Sequence, residues 1–122
     1  MLNGRVKGQI GEREACRLLG DVIGELELTR NLEQVRSGGA DILGISGLCI
    51  EVKRQETLSI NSWWQQVCRA ADNRGDVPVL MFRQNRKPWR FLLPAYLLTV
   101  GAPGYIELQE PAFRCWLRAW VR

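Results

Sequence analysis

Apolar residues recur along the chain at two spacings, and the changes of spacing mark its elements. From Val6 to Leu19, with Val22 just beyond, Ala15, Leu18 and Leu19 fall on one side of a helix. Arg5 and Lys7 open that helix, and Gly20-Asp21 is a stop signal that predicts its end. Glu12 and Cys16, four residues apart, border the apolar stripe. "ELELTRN", residues 25–31, alternates and predicts a partly exposed strand, and "LEQVRSGG" carries turn chemistry.

Residues 40–44 and 48–54 are apolar-rich and read as two strands joined by Ile45, Ser46 and Gly47. A three-residue hairpin loop with its glycine in the left-handed conformation fits that junction. It sets a register of Gly44 with Leu48, Ile42 with Ile50 and Asp41 with Glu51. Ala40, Ile42, Leu48, Ile50 and Val52 then share an apolar face, and Asp41, Glu51 and Lys53 share the other.

Helical spacing returns at Ile60, Trp63, Trp64, Val67, Cys68 and Ala71, capped by Ser59 or Asn61 and running to about Asn73. Of the two adjacent tryptophans, one is expected in the core and the other is open to a dimer contact. "VPVLMFR" predicts a central fourth strand, "QNRKP" a turn and "WRFLLP" a fifth strand, followed by a short "AYLLTV" helix and a "GAPG" turn. The end of the chain matches either period. A helix takes in both Trp116 and Trp120 and has Pro111 in its first turn, so it is preferred to a strand. The predicted fold class is α/β (α+β): a mixed five-stranded sheet flanked by helices, in the order α-β-β-β-α-β-β with a C-terminal helical appendage.

At 122 residues the chain has the size of a single domain. It contains no apolar run near the ~20 residues a bilayer span requires, and the start lacks the apolar centre of a signal peptide, so a cytoplasmic protein is expected. Four cysteines are widely spaced and there is no histidine. A zinc site of ordinary spacing is thereby disfavoured, and the thiols are expected to fill core volume. Serine–histidine and cysteine–histidine catalysis is excluded, which leaves carboxylates, lysine or metal-bound water as working groups. A net charge of +4 and a pI near 9.2 suit a polyanionic partner without requiring one.

The hairpin therefore carries the candidate chemistry. Two opposed carboxylates repel unless a proton or a cation lies between them. Mg²⁺ or Mn²⁺ suits Asp41 and Glu51, with the Val52 carbonyl as a third protein ligand and Lys53 beside them. Such a set suits attack of water on a phosphodiester. The plainer reading, charges on a solvated strand face, stays open at this point.

"KGQIGEREACRLL", "GGADIL", "LCIEVKRQ" and "LSINSWWQQVCRAADNRGDVPVLMFR" occur in this order over residues 5–93. Together they resemble the PD-(D/E)xK nuclease superfamily, and within it the archaeal-type Holliday junction resolvases and their phage and bacterial relatives. The resemblance implies a restriction-endonuclease-like core over about residues 5–93, with residues 94–122 as a C-terminal extension. It implies Mg²⁺-dependent cleavage of DNA by Glu12, Asp41, Glu51, Lys53 and Gln55, with Glu12 joining Asp41, Glu51 and Val52 at the metal and Glu14 a competitor for the Glu12 role. It further implies a homodimer acting on branched DNA such as a four-way junction, in the host cytoplasm if the source is a phage. Lys7, Arg13, Arg30, Arg36, Ser37 and Arg54 are the expected contacts to DNA phosphates. A nuclease of the same fold on linear, flap or nicked DNA, and a non-catalytic DNA- or partner-binding domain, are the alternatives.

Overall fold

The computed structural model describes residues 4–24, 29–30 and 41–122. The elements are α1 (Gly4–Ile23), β1 (Thr29–Arg30), β2 (Ile42–Leu43), β3 (Leu48–Arg54), α2 (Ile60–Arg74), β4 (Val77–Arg83), β5 (Arg90–Pro94), β6 (Tyr105–Leu108) and α3 (Glu110–Trp120). A 3-10 turn, Ala95–Leu97, stands where a short helix was expected. The strands form one mixed sheet in the order β1-β2-β3-β4-β5-β6, with β3 and β4 parallel and every other pair antiparallel.

The α+β class and the order of elements agree with the sequence reading, but the described sheet has six strands rather than five. The added strand, Tyr105–Leu108, is four residues long and half-exposed, so it carries too short an apolar pattern to be recognised. α1 also runs past the predicted stop, through Gly20 to Ile23, and ends on Gly24 in the left-handed region. A helical glycine costs only about 1 kcal/mol, and here Val22 and Ile23 pack on the core beyond it.

Two apolar layers sandwich the sheet. On one side Ala15, Leu18 and Leu19 of α1 meet Ile42, Leu48, Ile50 and Val52, while Phe113 and Leu117 of α3 complete the layer. The Phe113 ring stacks on Phe91 with centroids 4.1 Å apart. On the other side Trp63, Trp64, Val67, Ala70 and Ala71 of α2 cover Cys49, Leu80, Phe82 and Leu92. Both tryptophans are therefore core residues, and neither is free for a dimer contact: Trp63 meets Phe82, and Trp64 meets Tyr105 edge-on. Residues 94–122 are not peripheral, because they supply the sixth strand and a helix that closes the core. Cys49 is buried, as expected for a space-filling thiol, whereas Cys115 is exposed on α3.

Two glycines set the geometry around the site. Gly47 has φ +84°, as the hairpin loop requires, and an added Cβ there would stand 2.9 Å from the Trp120 ring, whose Nε1–H donates to Ser46 O. At Gly11 an added Cβ would lie 2.8 Å from Arg54 Cβ. The missing side chain lets α1 approach β3 closely, immediately before Glu12.

Candidate active site

The predicted pairing of Ile42 with Ile50 is present, but Asp41 leaves the ladder. Its N–H donates to Ile50 O at 2.8 Å, and its carboxylate Oδ2 accepts the Val52 N–H at 2.7 Å. The acidic side chain thus stands beside the edge of β3 where a further strand pair would lie. In an extended strand the N–H and C=O of one residue point to the same side, so the Val52 carbonyl faces that edge too.

Asp41 and Glu51 are each only 2% exposed. They line one open cleft of about 140 Å³ with Gly8, Glu12, Val52, Lys53, Arg54 and Gln55. Glu12 arrives from α1, on the opposite side of the sheet from Glu51, and meets the other two around the strand edge. All five predicted catalytic residues and Val52 are therefore brought together. Two larger hollows, about 620 and 460 Å³, flank Ser46 and Gly47, but they hold no group of convergent carboxylates.

The electrostatics of the pair follow from its burial. Burial first, then the adjacent Asp41, pushes Glu51 up to about 9. Asp41 is raised less, to about 6, because the Val52 N–H opposes the effect of burial. Glu12 raises both further, and the Lys53 ammonium pulls both down. Burial and mutual repulsion therefore both favour a proton on the pair, whose two carboxyls titrate together. Asp41 Oδ1 is buried with no hydrogen-bond partner among the described residues. Among the described residues no three carboxylates or thiols form a metal-binding group by themselves. An ion here would rest on two carboxylates, a main-chain carbonyl and ligands from outside the protein.

The basic residues divide into several cases. Lys7 Nζ lies 3.9 Å from Glu56 Oε2, beside the cleft. Arg13 is exposed on α1. Arg30 lies on β1, while its side chain, together with Arg36 and Ser37, falls outside the described residues. Arg54 is half-buried and engaged on both sides, with Nε 3.3 Å from Glu14 Oε1 and Nη2 donating to the exposed Asn85 Oδ1 at 2.8 Å. Glu14 also lies 3.9 Å from Arg83 Nη1. The rival acid on α1 is thus engaged with two guanidinium groups, while Glu12 lines the cleft. Spacing along α1 does not separate these two roles, since it requires knowing where Arg54 and Arg83 stand.

An α-β-β-β-α-β core with a buried Asp and Glu beside a half-buried Lys at one strand edge is the arrangement of a class of nucleases, and comparison agrees. Residues 3–103 match the model of the family described as "Phage putative PDDEXK endonuclease", and the chain belongs to this PD-(D/E)xK endonuclease family. Among solved structures the chain is similar to Archaeoglobus fulgidus Hjc, a Holliday junction resolvase from an archaeal hyperthermophile, with 21% identity and a TM-score of 0.51. That match covers 89% of this chain and 88% of the other, and it shows a shared fold. A search of curated protein sequences gives no match.

Proposed function

We propose that the protein is a metal-dependent endodeoxyribonuclease that hydrolyses phosphodiester bonds in branched DNA, with four-way junctions as its substrate. The observation that carries this reading is the buried Asp41–Glu51 pair opening onto a cleft with Lys53, Glu12 and Gln55. A structural role accounts poorly for two adjacent buried carboxyls whose pKa values are both raised, one of them with an oxygen lacking a hydrogen-bond partner among the described residues. These residues fit a hard divalent cation, Mg²⁺ or Mn²⁺. Asp41, Glu51 and the Val52 carbonyl would hold it, Glu12 would act from the cleft wall through water, and phosphate oxygens would complete the set. When bound, the cation would lower the pKa of a water molecule and screen the charge that develops on phosphorus.

The chain's own residues do the rest. The Val52 N–H fixes the Asp41 carboxylate, so its rotamer is set before substrate arrives. With a cation in place, Glu51 would serve it as the ionised carboxylate. Lys53, on the same strand face as Glu51, offers its ammonium to a non-bridging phosphate oxygen and stabilises the transition state. Gln55, next on that face, orients the attacking water by hydrogen bonding. Junction selectivity is supported by the resemblance of the motifs and by the fold shared with Hjc, and homodimerisation is expected on the same ground.

The test is incubation with a mobile four-way junction and Mg²⁺ or Mn²⁺, resolved on a denaturing gel beside flap, nicked and linear duplexes. Paired nicks in opposed strands of the junction are expected. Equal cutting of all substrates would remove the branched-DNA assignment, and no cutting of any would favour a non-catalytic DNA-binding domain.

A further inference from the structure

We infer that the β4–β5 turn, residues 84–88, is a second DNA-backbone contact, made by Arg86 and Lys87 beside the proposed active site. The inference rests on the nuclease reading and extends it to a surface outside the cleft. Arg86 is the one non-glycine residue with positive φ, +59°, among the described residues. It is the third residue of a turn closed by the Lys87 N–H to Gln84 O hydrogen bond at 3.1 Å, a position where glycine or asparagine is ordinarily found. An L side chain is disfavoured there, so the strain is explained if the guanidinium has a use.

The turn is also fixed against the end of β3, which bears Lys53, and the residues just beyond it, Gln55 and Glu56. The Gln55 N–H donates to Arg83 O at 3.2 Å, and Gln84 Nε2 donates to Glu56 O at 2.8 Å. The Asn85 N–H donates to Glu56 Oε2 at 2.7 Å, and Arg54 Nη2 donates to Asn85 Oδ1 at 2.8 Å. Since β3 and β4 run parallel and Arg54 pairs with Arg83, the turn leaves the sheet at the end where the cleft opens. Arg86 and Lys87 are exposed, with no acidic partner among the described residues. Arg54 is engaged with Glu14 and Asn85, which leaves Arg86 and Lys87 as the exposed cations of the turn. An anchored turn with two unpaired cations suits phosphates flanking the scissile one. The contact would be independent of sequence, because no base edge need be reached.

The experiment uses the full chain carrying Glu51→Gln, which leaves DNA uncut, and measures fluorescence anisotropy of a labelled four-way junction and a linear duplex across a salt series. Arg86→Gly is the informative change, because glycine relieves the strain while removing the charge. Expected are an unchanged or higher melting temperature, weaker binding, and a log–log salt slope shallower by about one. Arg86→Gly with Lys87→Ala should flatten the slope by about two. Lys87→Ala alone, which does not alter a left-handed position, is the control against misfolding and should flatten it by about one. Unchanged affinity and slope in all three variants, with junction cleavage intact in the otherwise wild-type protein, would overturn the contact alone. Absence of DNA binding by the parent Glu51→Gln protein together with absence of cleavage by wild type would overturn the nuclease reading as well.

Discussion

The Val52 N–H donates to Asp41 Oδ2 at 2.7 Å, so an acidic side chain takes a hydrogen bond that a neighbouring strand would otherwise receive. This one bond holds Asp41 beside Glu51 at the edge of β3, although the two residues are not paired in the ladder. It also leaves Asp41 Oδ1 buried, with no hydrogen-bond partner among the described residues. Two carboxyls buried side by side stabilise a fold poorly, whereas they suit the divalent cation proposed above.

Asp41→Asn separates these two aspects. Asparagine keeps an acceptor for the Val52 N–H and loses the charge. Junction cleavage should fall by at least about 10²-fold, while the melting temperature and DNA affinity stay close to wild type. Asp41→Ala should in addition lose about 1–3 kcal/mol of stability by leaving a buried N–H unpaired. Near-normal cutting by Asp41→Asn would remove Asp41 from the site.

Glu51 gives the pH signature. Its folded value of about 9 lies above the ordinary 4.5, so the native state keeps a proton that the unfolded chain releases. Below the unfolded value the acid is neutral in both states and costs nothing. Stability is then lost steadily as pH rises from 4.5 towards 9. Metal-free Glu51→Gln, neutral throughout, should melt above wild type at pH 8, and the gap should shrink towards pH 5. The shift is about 4 °C for each kcal/mol relieved. Parallel melting curves against pH for the two proteins in EDTA would show that Glu51 ionises normally.

Lys53 is half-buried and draws both carboxyl values down, so it is both a neighbour of the pair and a cation facing the cleft. Lys53→Ala should lower the single-turnover cleavage rate by about 10²–10³-fold. Binding of Mn²⁺, followed by calorimetry, should persist. Loss of metal binding together with rate would give Lys53 a structural role instead.

Much of this site was legible because its parts are local. The hairpin register followed from Gly47 in the left-handed region and from strict alternation on either side. What could not be read depended on contacts distant in sequence. Glu12 and Glu14 differ by two helical positions, and only the placement of Arg54 and Arg83 shows that Glu14 is already engaged. Gly20 is an ordinary stop signal overridden by the burial of Val22 and Ile23. Spacing alone does not show that both Trp63 and Trp64 are covered, because Trp64 meets Tyr105 of β6, and β6 is itself too short to announce.

That division of labour on α1 can be measured. Glu12→Gln should slow cleavage or weaken metal binding while melting near wild type. Glu14→Gln should do the reverse, losing about 1–2 kcal/mol by leaving half-buried guanidinium groups uncompensated and retaining most of the cleavage rate. If Glu14→Gln were inactive and stable, with Glu12→Gln unaffected, the two roles would have to be exchanged.

The C-terminal helix offers the last check, on whether the nuclease core ends near residue 93. Phe113 and Leu117 are fully buried, and Phe113 stacks on Phe91, the β5 residue paired with Met81 of β4. β4 in turn lies beside β3, which carries Glu51 and Lys53. Removing the Phe113 ring therefore opens a cavity two strands from the site without touching any cleft residue. Phe→Ala in a packed core costs about 3–5 kcal/mol, a large part of the 5–15 kcal/mol a domain of this size has. Phe113→Ala should show a much lower denaturation midpoint in urea, and Phe113→Leu should restore most of the loss. Below its midpoint the alanine variant should still cut DNA, since the Asp41–Val52 bond and the Glu51 strand are left in place. A variant of unchanged stability would mean that α3 is an accessory, and removal of residues 109–122 should then leave a folded, active enzyme.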